Sequence, residues 1–356
     1  MFRMFARTSR TLHDLRRRVR EANEPGEYAL EEKLSTGGMG EVWRARHRLL
    51  MRSVAIKLIR PEFLASARTD PAVVLRRFER EALATAALRS PHTVQLYDFG
   101  ETEDGTLFYV MELLAGIDLE RLITRFGPVP PERAIHILKQ VCCSLHEAHL
   151  NGLTHCDIKP ANVVVNDMGT EFDFVKVLDF GLVRLRSLRT GESGTLTGET
   201  AVTCTPAYAA PEIARGSATY DHRVDIYAVG CVAYWLLTGH LVFEATNPIQ
   251  LLFDHASTPP ARPQTRTELT IPSDLECVVM ECLEKSPDRR PATADLLAHR
   301  LSMCGVPEPW TRERAERWWQ THAPTPRQNR SVADVLISHE AMPNVVHALR
   351  SRIMRI

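Results

Sequence analysis

From residue 28 to about residue 113 apolar and polar positions tend to alternate, and beyond residue 116 the spacing lengthens to that of helices. Short β-branched and aromatic runs at 28–34, 41–45, 53–59, 94–99 and 107–111 predict strands. Between the third and fourth of these, residues 73–88 place apolar side chains at helical spacing. The pattern predicts a small, mostly antiparallel sheet with one helix. Further along, helical spacing at 131–149, 223–238, 275–283 and 292–301 falls near Pro, Gly, Ser or Thr boundary signals. That half is predicted to be mainly helical, with one further strand at 175–178. Residues 189–205, polar and rich in Gly and Thr, predict a long loop of the kind that carries function in compact domains.

Composition narrows the classes. The 356 residues hold 44 Lys+Arg and 44 Asp+Glu, so no global field steers the chain to nucleic acid or to a membrane. The eight cysteines, at 142, 143, 156, 204, 231, 277, 282 and 304, form no C-x-x-C pair, which suits reduced thiols in a cytoplasmic protein. The most apolar segment, 226–237, is too short to span a bilayer and follows Asp225, so it predicts a buried helix and no transmembrane segment.

Four short patterns carry candidate chemistry. Ser35-Thr36-Gly37-Gly38-Met39-Gly40-Glu41-Val42 lies between two predicted strands, and glycines there let backbone amides approach phosphate oxygens. Lys57 ends Val54-Ala55-Ile56-Lys57 on the next strand, and the following helix offers Glu81 at the phase to hold it, with Glu79 as rival. His155-Cys156-Asp157-Ile158-Lys159-Pro160-Ala161-Asn162 brings a carboxylate able to take a hydroxyl proton. Asp179-Phe180-Gly181 follows the 175–178 strand, and Asp179 with Asn162 supplies hard oxygen ligands for Mg²⁺, with Mn²⁺ suiting the same atoms. Each pattern alone is weak; their order and separations together are not.

With these motifs, residues 27 to about 302 resemble the eukaryotic-type (Hanks-type) protein kinase family, and its bacterial serine/threonine branch most. The resemblance implies an α+β, two-lobed protein-kinase fold: a small antiparallel β-sheet lobe with one helix (27–111), a hinge (112–116) and a larger, mainly helical lobe (117–302). It implies an ATP-dependent enzyme acting on Ser/Thr hydroxyls of proteins, with Asp157 as base, Lys159 against the transferring phosphoryl group, and Lys57 paired with Glu81. Nucleotide contacts would come from Leu34, Ser35, Gly37, Gly38, Met39, Gly40, Val42, Ala55, Lys57, Met111, Glu112, Leu114 and Asp118. Downstream, Thr205 to Glu212 resembles the family's substrate-docking segment, with Arg290 the expected partner of Glu212.

Three positions depart from the family pattern: Ser35 for the first loop glycine, Cys156 for the arginine before Asp157, and Thr85 in a stack with Leu96, His155 and Phe180. They raise one rival, a pseudokinase serving as a nucleotide-binding scaffold. Lys57, Glu81, Asp157, Lys159, Asn162 and Asp179 are all present, which favours an active enzyme. A small-molecule kinase would have no reason to keep the docking segment and Arg290.

Two ends flank the domain. Residues 1–26 form a basic leader, with seven arginines and one acid in the first twenty residues and a predicted helix at 11–20. An Arg-rich, acid-poor leader also fits a mitochondrial transit peptide. Residues 303–356 form a tail with a predicted helix at 312–320, bearing Ala315, Trp318 and Trp319 on one side, and a basic amphipathic end at 345–356. The expected partner of that end is the chain itself or another protein, ahead of a membrane surface.

Overall fold

The computed structural model describes residues 28–37, 40–59, 71–102, 106–180, 205–217 and 219–322. Five strands form one antiparallel sheet in the order β1-β2-β3-β5-β4: β1 (Tyr28–Gly37), β2 (Gly40–His47), β3 (Ser53–Ile59), β4 (Leu96–Glu101) and β5 (Leu107–Glu112). Strand β3 is buried on both faces. Val54, Ile56 and Leu58 pack with Ala45 and Val110 on one side. Ala55 meets Val94 and Met111 on the other, and Ile59 meets Phe78, Ala82 and Tyr109. Lys57 lies between Ala55 and Ile59 in the period-two alternation and so emerges on the helix-covered face.

That helix is α1 (Pro71–Ala86), which buries Phe78, Glu81, Ala82 and Thr85 at helical spacing. Glu79 stays exposed, so the phase favours Glu81 as expected.

After β5 the chain forms the short strand β6 (Ile117–Asp118), helix α2 (Leu119–Phe126) and helix α3 (Pro131–Leu150). Strands β7 (Val163–Asn166) and β8 (Phe174–Val177) join β6 in a second antiparallel sheet. Beyond them come α4 (Pro211–Ala214), α5 (Arg223–Thr238), α6 (Pro248–Ser257), α7 (Ser273–Cys282) and α8 (Ala294–Met303). The apolar 226–237 segment is the body of α5, and nearly all of that helix is buried. Gly230 lets α7 approach it, since a Cβ there would come within 2.7 Å of the Cys282 Cβ. Among the described residues no helix is long and apolar enough to cross a membrane.

The second sheet is tied to its surroundings by polar side chains. Arg133 and Asp173, both fully buried, form a two-point ion pair with 2.8 Å contacts. Trp310 donates its indole N–H to Asp173 at 2.9 Å, and its ring lies 5.1 Å from the Arg133 guanidinium. Gln140 bonds the Asp173 carbonyl and the Val175 amide. The start of β8 is thereby held from α3 and from the segment after α8.

Most predicted elements are present with shifted ends. The 94–99 strand begins instead at Leu96, because Val94 gives its amide to Val177 and is drawn toward β8. Strands β6 and β7 and helices α2 and α6 were not predicted; the longest of them has ten residues, too few for a clear period. Residues 313–322 belong to a second compact unit. Its helix α9 (Arg312–His322) covers the predicted 312–320 stretch, with Ala315 and Trp319 buried. The predicted helix at 11–20, the basic end at 345–356, loop residues 189–204, Gly38 and Met39 lie outside the described residues.

Candidate active site

The β1–β2 hairpin narrows from Ser35 opposite Val42 to Gly37 opposite Gly40. Gly40 sits where any Cβ would strike the Leu58 carbonyl, so only glycine fits. Beneath the hairpin Val42, Leu96, Leu113 and Leu178 pack against Ala55, Val94 and Met111, forming an apolar floor. Leu34 is exposed at the rim, while Leu114 is partly buried.

Glu112 turns its carboxylate away from this floor, accepting from the Gln95 amide at 2.7 Å and pairing with Lys176 on β8 at 2.7 Å. Sequence reasoning missed that tie; its signal was a lysine inside the apolar run of β8. Asp118 caps α2, accepting from the Arg121 amide at 2.8 Å.

Lys57, buried to 7% exposure, makes its ion pair with Asp179 at 2.7 Å. The contact shown for the Lys57 ammonium is with the Asp179 carboxylate, while Glu81, the partner expected from the sequence, is buried on α1. Asp179 has φ +61°, a left-handed conformation uncommon for a side-chain-bearing residue, and its carboxylate reaches Lys57. Burial alone would raise the Asp179 carboxyl, but Lys57, helped by His155 and Lys159, brings it below the ordinary carboxylate value. Tyr109 is pushed in the other direction, by burial first and then by the charges of Glu81 and Asp179.

The loop before β7 gathers the second group. Asp157 accepts from Lys159 Nζ on Oδ2 at 2.6 Å and from the Thr205 hydroxyl on Oδ1 at 2.8 Å. Lys159 also donates to the Thr205 oxygen at 2.9 Å, closing a three-membered polar circuit. Asn162 gives its amide hydrogens to the Asp157 carbonyl and carboxylate, at 2.8 and 3.2 Å. Its Oδ1 is left as an acceptor. That oxygen and the Asp179 carboxylate make a hard donor pair of the kind magnesium takes together with phosphates.

The loop is held from below by Asp225, whose carboxylate accepts from the His155 and Cys156 amides at 2.8 Å each and from His149 at 2.9 Å. Cys156 carries φ +64°, which this clamp sustains. Its sulfur lies 3.9 Å from the Tyr220 hydroxyl. His155 accepts from the Asp157 amide at 3.2 Å, contacts the Leu178 carbonyl at 2.7 Å, and packs its ring 4.6 Å from Phe180. Thr85, Leu96 and Phe180 line a small cavity of about 30 Å³, so the stack expected from the sequence is assembled around a polar member. Glu212 and Arg290 form the expected pair, with fork contacts of 2.8 and 2.7 Å.

Contacts thus join Lys57 to Asp179 on one side, and Asp157 to Lys159, Asn162 and Thr205 on the other. A family profile described as "Protein kinase domain" matches residues 28–302. The chain is 39% identical over 269 residues to the serine/threonine-protein kinase pkn3 of Myxococcus xanthus, covering 75% of this chain and 48% of that one. It is 40% identical over 270 residues to the serine/threonine-protein kinase PknB of Mycobacterium tuberculosis, covering 75% and 41%. The chain thus spans less than half the length of these curated relatives. Among solved structures, a double mutant of the M. tuberculosis PknI kinase domain superposes with a TM-score of 0.60 at 27% identity, covering 78% of this chain and 95% of that one. Rad53 residues 1–466 with AMP-PNP gives a TM-score of 0.60 at 25% identity, covering 77% and 64%.

Proposed function

This chain belongs to the protein kinase family, in its bacterial serine/threonine branch, and we propose that it transfers the γ-phosphoryl group of Mg·ATP to serine and threonine hydroxyls of proteins and of itself. The observation that carries the reading is the circuit of Asp157, Lys159 and Thr205, with contacts of 2.6 to 2.9 Å, close enough to Asp179 for Lys159 to act on its charge. A substrate hydroxyl entering beside Asp157 would find a carboxylate able to orient it and take its proton, and an ammonium to offset charge on the transferring group.

In this reading Gly37, Gly38, Met39 and Gly40 cover the phosphates, with Ser35 at the hairpin's entry. Leu34, Val42, Ala55 and Met111 enclose the adenine, the backbone of Glu112 to Leu114 meets its edge, and Asp118 meets the ribose. Lys57 binds the α and β phosphates, and Glu81 supports it once Asp179 turns to metal. Asn162 Oδ1 and Asp179 would hold Mg²⁺ or Mn²⁺, which supplies positive charge against the phosphate oxygens when bound. Positioning and charge neutralisation then supply most of the rate.

We also place the domain at 27–302 between a basic leader (1–26) and a tail (303–356) that docks on the domain or on a partner. The chain acts in the cytoplasm in this account, a reading that the seven described cysteines, all free, support. Incubation with labelled ATP and Mg²⁺, followed by identification of the phosphorylated residue type, tests the assignment. Phosphoserine or phosphothreonine is expected. Nucleotide binding without any transfer would favour the scaffold reading instead.

A further inference from the structure

The outer side of the glycine hairpin carries a polar cluster that the nucleotide reading leaves unused. Strand β2 alternates: Val42 faces the Ala55–Met111 floor, while Trp43 packs against the opposite cluster of Ala45, Val54, Ile56, Leu58 and Val110. Glu41 shares the Trp43 face by the period-two rule. It is buried to 7% exposure, although residues 31–37 on the neighbouring strand are exposed. Lys33 donates to its Oε1 at 2.9 Å and the Trp43 indole N–H to its Oε2 at 3.0 Å. The Lys33 ammonium also lies 5.5 Å from the Trp43 ring centre, and Lys33 pairs directly with Trp43 across the strands.

Glu41 follows Gly40, the residue whose backbone touches Leu58 too closely to admit a side chain. A carboxylate buried one peptide unit from a phosphate-binding turn has two adverse effects when it is not neutralised. It opposes the negative charge of the incoming polyphosphate with little screening, because Glu41 itself is buried. It also draws the hairpin toward water to recover its own solvation. Lys33 and Trp43 counter both, joining β1 to β2 next to the irregularity in their pairing between Lys33 and Ser35.

We propose that Lys33 and Trp43 are positioning residues for the nucleotide: by neutralising Glu41 on the outer face, they hold the glycine hairpin at the height where its amides meet the phosphates. The proposal rests on reading that hairpin as the phosphate cover. It separates this pair from groups that touch substrate, because the effect passes through Glu41.

The test is a double-mutant cycle on the full chain, reading KM for Mg·ATP and kcat separately. Lys33→Met should raise KM about three- to tenfold with kcat nearly unchanged, and the rise should shrink at high salt. Trp43→Phe, which keeps the ring and removes the donor, should raise KM less. Adding Glu41→Gln to Lys33→Met should return KM to within about twofold of wild type, since the charge to be neutralised is gone. A general weakening of the hairpin would not be rescued by a second change. A wild type that binds Mg·ATP while Lys33→Met leaves KM unchanged, or a KM that Glu41→Gln fails to restore, overturns the proposal alone. A wild type that does not bind Mg·ATP overturns the nucleotide reading as well.

Discussion

Lys57 and Asp179 stand 2.7 Å apart, so the lysine of the small sheet and the carboxylate that follows β8 are joined directly across the cleft. In the proposed reading the pair makes the phosphate-binding cation and the metal-binding anion partners of one another. On that reading nucleotide and metal entry would open it, with Glu81 proposed as the carboxylate that then receives Lys57.

Replacing Lys57 by methionine should leave the fold intact, because the swap roughly conserves volume at a buried site. The shift in melting temperature produced by Mg·ATP should fall sharply. Thermal melting with and without nucleotide checks this; an undiminished shift would count against Lys57 as a phosphate ligand.

The same substitution changes the pH response. In the wild type the folded Asp179 carboxyl lies below its ordinary value of 3.8, so its pairing adds stability above that pH and loses it as pH falls through the lower folded value. Without Lys57 the burial of Asp179 dominates and the carboxyl moves up. Acid unfolding of Lys57→Met should begin at higher pH than in the wild type. Coincident acid-unfolding curves would show that the pair contributes nothing.

Arg133 and Asp173 should behave as a buried pair broken from one side. Arg133→Met leaves the buried Asp173 carboxylate without the Arg133 guanidinium, a loss of about 3–5 kcal/mol. Trp310→Phe removes one hydrogen bond to the same carboxylate and should cost about 1 kcal/mol. Chemical denaturation measures both, and equal losses would mean that the ion pair contributes no more than the single indole hydrogen bond.

Phosphorylation between Asp179 and Glu212 should not be obligatory for activity. A phosphate orders a loop only where cations receive it, and the position before Asp157 is the neutral Cys156, beside Tyr220. Arg184 is one residual cation. It and the hydroxyls to test, Thr195, Thr197, Thr200 and Thr203, lie outside the described residues. Changing the four threonines together to alanine should cost less than about tenfold in initial rate against phosphatase-treated wild type, some 1.4 kcal/mol of barrier. A larger loss would mean that a phosphate receiver exists elsewhere.

The parts legible in the sequence were those with a local signature. Strand β3 and helix α5 were placed to the residue, one by a β-branched run ending in Lys57, the other by an apolar stretch between Arg223 and the left-handed Gly239. Asp157, Asn162 and Asp179 were singled out by motif spacing, and the structure brings Asn162 and Thr205 into contact with Asp157. Long-range choices among like groups were not legible. The direct contact of Lys57 with Asp179, 122 residues further along the chain, is one that no spacing encodes. The Arg133, Asp173 and Trp310 cluster joins three distant segments, each ordinary on its own.

The measurement that bears most directly on the central claim is transfer of labelled phosphate from Mg·ATP to a generic protein substrate, by wild type and Asp157→Asn in parallel. Asparagine can keep the contact with Thr205 but cannot act as base or pair with Lys159 as a charge. Turnover should fall by about 10²–10⁴ while nucleotide binding is nearly intact. Equal turnover in the two proteins would contradict the account, because the carboxylate at the centre of the site would then have no part in the chemistry.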